Sequence, residues 1–462
     1  MKQQNRVAIL NIASTLVLNG IAFFTGPLFL RLLGPTNNGI VNIYNVWVSV
    51  IAVAFTLQTQ GTLVNARLEY PEEDQKRYQS SVLSLSVVSY ALCAGVVLAF
   101  IGPISGLLRL PWYVVVLMLL HGFGTFCINF LSTKFIYEFK AGWKMLLALA
   151  VAVLNLALSL SLVLALPYES RFLGRIGGVS ATYILLGLPV CIYVLAKGRT
   201  LFHRGYWKFC LFLSVPMVFQ NLSDLILGQS DRVMLQQMMG ETLVGQYGAA
   251  LTFGGIMFTI FGALNHTWVP FFFEDMKLGR REALESRTKN FLELFTVLSV
   301  GFVLLAAEVY RLYASEAYLP GTGLIPVFVT NYFLNFLCTF PINFEYFKKN
   351  TKVVAVVTVI SSLVNLALNY VLIRSLGMYG AALATAASHV LQLTMHHGYA
   401  RLVLGKGDYP FAMRLWSPYL MCYLAAVALA YLTPGAWYIR WPLGAIIGVW
   451  ELWRIKKRKV LI

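Results

Sequence analysis

An apolar stretch over 209–231 carries Gln220, Asn221, Ser223, Asp224, Gln229, Ser230 and Asp231, with Arg232 directly after it. Asp224 lies 16 residues beyond Lys208, which is about 24 Å along a helix. A carboxylate at that depth in hydrocarbon is costly, so it faces either a water-filled cavity or a partner. Asp224 and Asp231 are seven residues apart and share a helix face. The chemistry open to such a wall is contact with a polar cargo or capture of a coupling cation. The plain alternative is a hydrogen bond or ion pair with a neighbouring helix. Both readings stand for Asp224, whereas Asp231 beside Arg232, near the end of the run, reads first as an ion pair.

Other residues of the same kind are scattered along the chain. Arg31 and Arg67 close two apolar runs, and a guanidinium can grip phosphate oxygens in a bidentate way that an ammonium cannot. Equally, both could snorkel to a membrane interface. Asn19, Gln58 and Gln60 could contact a sugar or form interhelical hydrogen bonds. His266, two residues before Trp268, could titrate in a coupling step or bond a neighbouring helix. Glu308 and Arg311, three apart, read as an intrahelical pair. Pro27, Pro189, Pro216, Pro326 and Pro341 mark expected bends, with Pro216 the expected hinge.

Catalytic and metal chemistry is poorly represented. The cysteines, Cys93, Cys127, Cys191, Cys210, Cys338 and Cys422, all fall in apolar stretches and show no CxxC or Cys/His spacing, so neither a disulfide frame nor a metal site is expected. No Ser/His/Asp or Cys/His cluster stands out, and the glycine strings lack the Gly-Lys-Ser/Thr of a phosphate loop. The residues therefore argue against an enzyme and call for no cofactor.

The elements that must position these residues are membrane helices. Of 462 residues 58% are hydrophobic and only 12% charged, too few charges to coat a soluble protein of this size. The net charge of +17 suggests basic cytoplasmic loops against anionic lipid rather than a nucleic-acid partner. Apolar stretches recur near 7–31, 38–60, 78–101, 111–133, 143–166, 174–196, 209–231, 243–272, 290–310, 320–344, 352–373, 377–399, 414–432 and 437–453. The first follows Lys2 and Arg6 and is too long for a signal-peptide core, so it reads as a retained span. With the N-terminus inside, alternate loops hold 28 of the 36 lysines and arginines, and the other side holds 8. A missed span would invert that alternation downstream, so the expected fold is all-α and polytopic, with fourteen transmembrane helices and both termini cytoplasmic.

The chain also repeats itself. VLNLALSLSLV over 153–163 matches LVNLALNYVLI over 363–373, an offset of 210. Gly174, Gly177, Ala181 and Thr182 match Gly377, Gly380, Ala384 and Thr385 at an offset of 203, and Gly34 and Gly39 match Gly240 and Gly245 at 206. Six spans per repeat is an even number, so the halves are parallel repeats about an axis along the membrane normal. The expected organisation is an N-terminal lobe over 1–200, a C-terminal lobe over 201–405, and two added helices with a basic tail over 406–462. The Gly-x-x-Gly strings are expected to permit tight turns and close packing. The charged run over 274–289 reads as a solvated stretch rather than an in-plane helix.

Several strings resemble one family. Ser214-Val-Pro216, Asp231-Arg232, Gly240 and Gly245-Gln-Tyr247 resemble the seventh-span signature of polysaccharide flippases (O-antigen, capsule or teichuronic type) of the multidrug/oligosaccharidyl-lipid/polysaccharide exporter superfamily. Trp268-Val-Pro270, the stretch from Asn365 to Tyr370, the stretch from Gly377 to Thr385, and Leu33-Gly34 with Gly39 resemble further motifs of that family, and the likeness spans essentially the whole chain. The resemblance implies export of undecaprenyl-pyrophosphate-linked oligosaccharide across a bacterial inner membrane, by alternating access between two six-helix lobes. It also implies that the last two spans make a groove for the lipid tail. Such a flippase must neutralise a pyrophosphate and hydrate a sugar, for which Arg31, Gln58, Arg67, Gln220, Asn221, Asp224 and Arg232 are the candidate contacts. Asp224, Asp231 and His266 are the candidate coupling groups. The implied partners are the lipid-linked substrate, membrane lipid, a polysaccharide polymerase and a chain-length regulator, with no nucleic acid. The rivals are a cation-coupled multidrug exporter of the same superfamily, although 7–30 holds no acid, and a membrane polysaccharide polymerase or acyltransferase.

Overall fold

The computed structural model describes residues 2–405 and 408–458, with the side chains of 25–405 and 408–457. Asn19, Lys406 and the end of the basic tail therefore fall outside the described side chains. The helices run in the order α1 (Lys2–Ala54), α2 (Leu63–Glu69), α3 (Gln75–Ala99), α4 (Ile101–Leu108), α5 (Trp112–Tyr137), α6 (Ala141–Ala165), α7 (Arg171–Gly198) and α8 (Arg204–Met239). They continue as α9 (Glu241–Gly254), α10 (Ile256–Leu278), α11 (Arg281–Tyr313), α12 (Ile325–Phe347), α13 (Thr351–Leu376), α14 (Met378–Tyr399), α15 (Met413–Leu432) and α16 (Trp437–Arg458). No strand occurs among the described residues. That is the expected outcome in hydrocarbon, where backbone N–H and C=O groups have no water to bond.

Among the described residues ten helical segments are long and apolar enough to cross a membrane, and up to eleven if the bent pair Thr25–Ala54 and Thr59–Glu69 is one span. The protein is thus an all-helical, multi-pass membrane protein. The helices lie over the apolar stretches of the sequence, but α14 and α16 are not among the ten segments.

Three local expectations are corrected. The second apolar stretch is not one straight helix: Leu57 and Gln58 take left-handed backbone angles and the chain bends by 50°. The freed groups there are bonded again by hydroxyls. Ser86 Oγ donates to the Thr56 carbonyl at 2.9 Å, and Thr62 Oγ1 donates to the Thr59 carbonyl at 2.8 Å while meeting Tyr78 Oη at 2.7 Å. Pro326 does not bend a span, because α12 begins at Ile325 and puts the proline in the first turn, where its missing N–H would have no helical partner anyway. The charged run over 274–289 is the end of α10 and the start of α11, turned at Gly279 with φ of 67°. Within it Asp275 is buried against Arg287 at 2.6 Å.

The chain divides into two compact units, residues 1–229 and 230–462. In the first, α7 packs on α6, α5, α3 and α1; in the second, α14 packs on α13 and α12, while α15 and α16 pack on α11. The repeat is visible in backbone detail. Gly34 (φ 70°, ψ 170°) and Gly240 (φ 92°, ψ 172°) make the same bend 206 residues apart. Phe139 (φ 56°) and Lys349 (φ 59°) terminate α5 and α12 in the same way. Lys140 N donates to the Phe135 carbonyl, as Asn350 N does to that of Glu345, each the long bond that closes a helix C-terminus on a left-handed residue.

The packing of α6 on α7, and of α13 on α14, moves the alignment of the glycine strings. A Cβ on Gly174 would meet Leu162 C and O at 2.8 Å and Val163 N at 2.7 Å; a Cβ on Gly380 would collide with Leu372 C and O and meet Ile373 N at 2.8 Å. These are the same backbone atoms of the repeated α6/α13 string, so Gly174 corresponds to Gly380, at an offset of 206. Gly377 instead serves the tight α13–α14 turn, with φ of 57°. A test lies within the motif. Gly174→Ala and Gly380→Ala should each destabilise the protein by about 1–3 kcal/mol. Gly177→Ala, whose methyl would touch only Leu162 Cδ1 at 3.6 Å, should be neutral. Thermal unfolding of the purified protein measures this, and equal responses from all three would refute the shared seat.

Candidate functional site

The polar residues of the seventh apolar stretch ride on α8, which stays helical from Arg204 to Met239 across Pro216. The proline removes one backbone bond but does not break the helix. Gln220 and Asp224 are exposed, and Asn221 is half-buried with Nδ2 donating to the Met217 carbonyl at 2.8 Å. Asp231 is different: it is 4% exposed, Tyr247 Oη donates to its carboxylate, and Arg232 approaches it through its backbone N at 2.8 Å and Nε at 3.8 Å. The two acids of one sequence pattern thus occupy unlike surroundings, one open and one enclosed.

A second polar centre lies on the repeated string. Asn365 Oδ1 accepts from Asn369 Nδ2 at 2.9 Å and from Ser230 Oγ at 3.4 Å, and its Nδ2 donates to Thr385 Oγ1 at 3.4 Å. In the first unit the matching Asn155 Oδ1 accepts from Ser159 Oγ at 2.9 Å and from Arg175 Nη1 at 3.1 Å. The guanidinium of Arg175 also stacks 4.0 Å from the Phe29 ring. One amide framework is therefore cation-filled in the first copy and lined by neutral donors and acceptors in the second. Sequence reasoning passed over Arg175 and Asn155, although an arginine beside the repeated Gly174 was a usable signal.

The remaining predicted residues are dispersed. Arg31 is exposed on α1. Gln58 lies in the bend after α1, where Gln60 Nε2 donates to its Oε1 at 2.5 Å. Arg67 on α2 donates to the Tyr137 carbonyl and lies 5.7 Å from the Phe139 ring. His266 on α10 is exposed, whereas Trp268 is fully buried, stacked 5.2 Å from Phe272 and 5.4 Å from Phe291. The Trp-Val-Pro string therefore anchors a core.

Arg67 borders a cavity of about 910 Å³ inside the first unit. Arg67, Lys76, Lys134, Lys140 and Lys197 line it, against the acids Glu72 and Glu138. Its walls come from α2, α3, α5, α6 and α7. The Lys/Arg-bearing stretches where α2 gives way to α3, where α5 gives way to α6, and at the end of α7 thus meet at one end of the unit.

Buried charge pairs were also hidden in the sequence. Glu308 does not pair with Arg311 as expected: Arg440 donates to it from α16, joined by Trp441 Nε1 at 3.3 Å. At the other end of α11, Arg454 reaches Glu293 at 2.5 Å and also bonds Glu451. On α12 and α14 the fully buried Glu345 and His396 lie 2.9 Å apart. Apart from Glu451 and Arg454, which are three residues apart, these partners are 51 to 161 residues apart, so no local spacing could reveal them. Removing one member of a buried pair strands the other. Glu345→Ala should destabilise the protein by about 3–5 kcal/mol, whereas exposed Glu285→Ala, on a pair with Lys289, should shift the thermal midpoint little.

No curated protein sequence matches the chain. Among solved structures its fold is similar to that of "Lipid II flippase MurJ, inward closed conformation", with a TM-score of 0.75 at 16% identity over 97% of this chain and 99% of that one. It is also similar to an inward-facing multidrug resistance MATE family transporter of the MOP superfamily, with a TM-score of 0.60 at 14% identity over 87% and 99%. The outward-facing form of such a transporter gives 0.58 at 16% over 88% and 96%. At these identities the likeness shows a common fold. Residues 6–276, more than half of the chain, match the family described as polysaccharide biosynthesis protein. With its repeated helical strings and whole-length fold in agreement, the chain belongs to the polysaccharide biosynthesis protein family.

Proposed function

We propose that the protein is a flippase that moves undecaprenyl-pyrophosphate-linked oligosaccharide across the bacterial cytoplasmic membrane by alternating access, supplying cell-surface polysaccharide such as lipopolysaccharide or capsule. The family match over residues 6–276 carries this reading. The fold shared with a lipid II flippase over 97% of the chain, α15 and α16 included, supports it. In this reading the chain has fourteen spans, two six-helix lobes (1–200 and 201–405), two further helices over 406–462, and cytoplasmic termini. The meeting of three Lys/Arg-bearing stretches at one end of the first unit supports that orientation. A polysaccharide polymerase and a chain-length regulator would act on the product.

Among the residues, Arg31 and Arg232 are assigned to the pyrophosphate, and Gln58, Gln220, Asn221 and Asp224 to the sugar; Arg67, first expected beside the pyrophosphate, donates to the Tyr137 carbonyl on the wall of the basic cavity and is left out of this set. The exposure of Gln220 and Asp224 supports contact with a cargo. Asp224 and His266, both exposed, are better placed to exchange a coupling ion or proton than Asp231, which already has Tyr247 and Arg232. Pro216 remains the proposed hinge of α8.

A second reading, a cation-coupled multidrug exporter, is favoured by the fold shared with multidrug transporters in two conformations. A deletion strain with complementation decides between them. Loss of the protein should abolish surface polysaccharide and accumulate complete, unflipped lipid-linked units, and Asp224→Asn should complement at least about tenfold less well, a change of about 1.4 kcal/mol. Unchanged polysaccharide with no intermediate would sink the flippase assignment, as would ethidium extrusion by vesicles that disappears with Asp224→Asn. Topology has its own check. In a background without native cysteines, Arg109→Cys should react with an impermeant maleimide from outside, and Arg199→Cys only after permeabilisation.

A further inference from the structure

The cavity of the first unit has a counterpart that the repeat allows to be read as a control. In the second unit Phe344 stands at the position of Lys134, Glu345 at that of Phe135, Asn350 at that of Lys140, His396 at that of Val190 and Tyr399 at that of Tyr193. There the place is neutralised and tied: Glu345 pairs with His396, Asn350 Nδ2 donates to Tyr399 Oη at 2.7 Å, and Tyr409 packs 5.2 Å from Phe344. In the first unit the same framework stays open and gathers cations.

Those cations are only partly compensated. Lys134 is 8% exposed, and its ammonium lies 3.9 Å from Glu138 Oε1. Glu138 is engaged at 2.7 Å by Lys140 instead. Lys197 donates to Tyr193 Oη at 2.7 Å, a neutral partner. Five cations against two carboxylates leave an excess of positive charge around a space of about 910 Å³, ample for a phosphate-bearing headgroup. Lys134 is the one buried ammonium among them and has no carboxylate within hydrogen-bond distance, while the exposed Arg67, Lys76, Lys140 and Lys197 ring the opening, so an anion entering the space would meet positive charge from every side.

The rim points to a lipid as the source of that anion. Trp143 and Tyr193 border the cavity and are 60% and 51% exposed, the amphipathic rings expected at headgroup level. From Trp143 an exposed apolar stripe continues along α6 through Leu146, Leu149 and Val153 at helical spacing, a bed for an acyl chain. We infer that this cavity is a binding site for the headgroup of an anionic phospholipid, separate from the transported cargo, with its acyl chains laid along α6. Placing it in the cytoplasmic leaflet rests on the topology proposed above.

The test uses the purified full chain in neutral detergent, titrated with dioctanoyl-phosphatidylglycerol and read by native mass spectrometry. Phosphatidylglycerol should bind and dioctanoyl-phosphatidylcholine should not. Lys134→Met together with Lys140→Gln should weaken binding at least about tenfold. Because Lys134 is buried, the pair Lys140→Gln and Lys197→Gln, which leaves Lys134 in place, provides a second variant. A thermal midpoint at the wild-type value with affinity lowered severalfold supports the site, and the same midpoint with unchanged affinity overturns it. Equal binding of phosphatidylcholine also overturns it. Inorganic pyrophosphate binding as tightly as phosphatidylglycerol would make this a free-anion site, and displacement by a tenfold lower concentration of a short-chain polyprenyl diphosphate would make it a cargo vestibule; either overturns the inference. Binding is read here without transport, so failure leaves the flippase reading standing. Equally, a deletion strain without accumulated intermediate leaves this site standing.

Discussion

A helix interrupted within the membrane has to be repaired from within, because hydrocarbon offers no partner to a freed N–H or C=O. The bend after α1 survives because Ser86 and Thr62 bring hydroxyls to the unwound backbone, themselves held by the hydroxyls of Thr59 and Tyr78. The ends of α5 and α12 survive because a left-handed residue lets the following N–H reach back to an orphan carbonyl. The bends at Gly34 and Gly240 need a backbone shape that a side chain would strain. Where function calls for polar groups, the same requirement decides which ones remain available. Asp231 is consumed by its neighbours, whereas Asp224 is not enclosed.

Charge is handled in two styles. In the second unit, ion pairs hold the ends of a helix. Arg440 ties one end of α16 to Glu308, and Arg454 ties the other to Glu293, so α16 runs antiparallel to α11 with a charged clasp at each end of an apolar seam. In the first unit, several cations are left facing a shared space with few acids. Buried pairs contribute little net stability for the desolvation they cost, so register and orientation are the better account of the clasps.

The sequence made the framework legible for physical reasons. Span length, loop charge and the repeated Asn155/Asn365 strings all reflect local or periodic constraints, and the helices fall where those signals put them. The glycine strings show where such reading stops. Letters align Gly174 with Gly377, but the atoms each would touch align Gly174 with Gly380. Packing partners sit on another helix, and a motif does not record them. The same limit hid the Glu308–Arg440 pair behind a nearer and more obvious Arg311, and it hid the cationic cavity, whose walls come from five helices. Asp224 and Asp231 looked equivalent by spacing and are not, since burial depends on what surrounds the helix face.

The repeat registers also differ by four residues between α6/α13 and α7/α14, one helical turn added to the first copy in the link around Tyr168. That addition has settled on the bend at Gly34. Asn37 Nδ2 donates to the Tyr168 carbonyl at 3.0 Å, Phe172 N donates to Asn37 Oδ1 at 3.2 Å, and Arg171 reaches the Leu32 carbonyl at 2.8 Å. A methyl on Gly34 would strike the Tyr168 hydroxyl, while nothing lies within 4 Å of the same point on Gly240. An old joint copied twice has therefore been splinted in one copy and left bare in the other. The two halves share one bend, and four further residues in one link give the first copy hydrogen bonds across it.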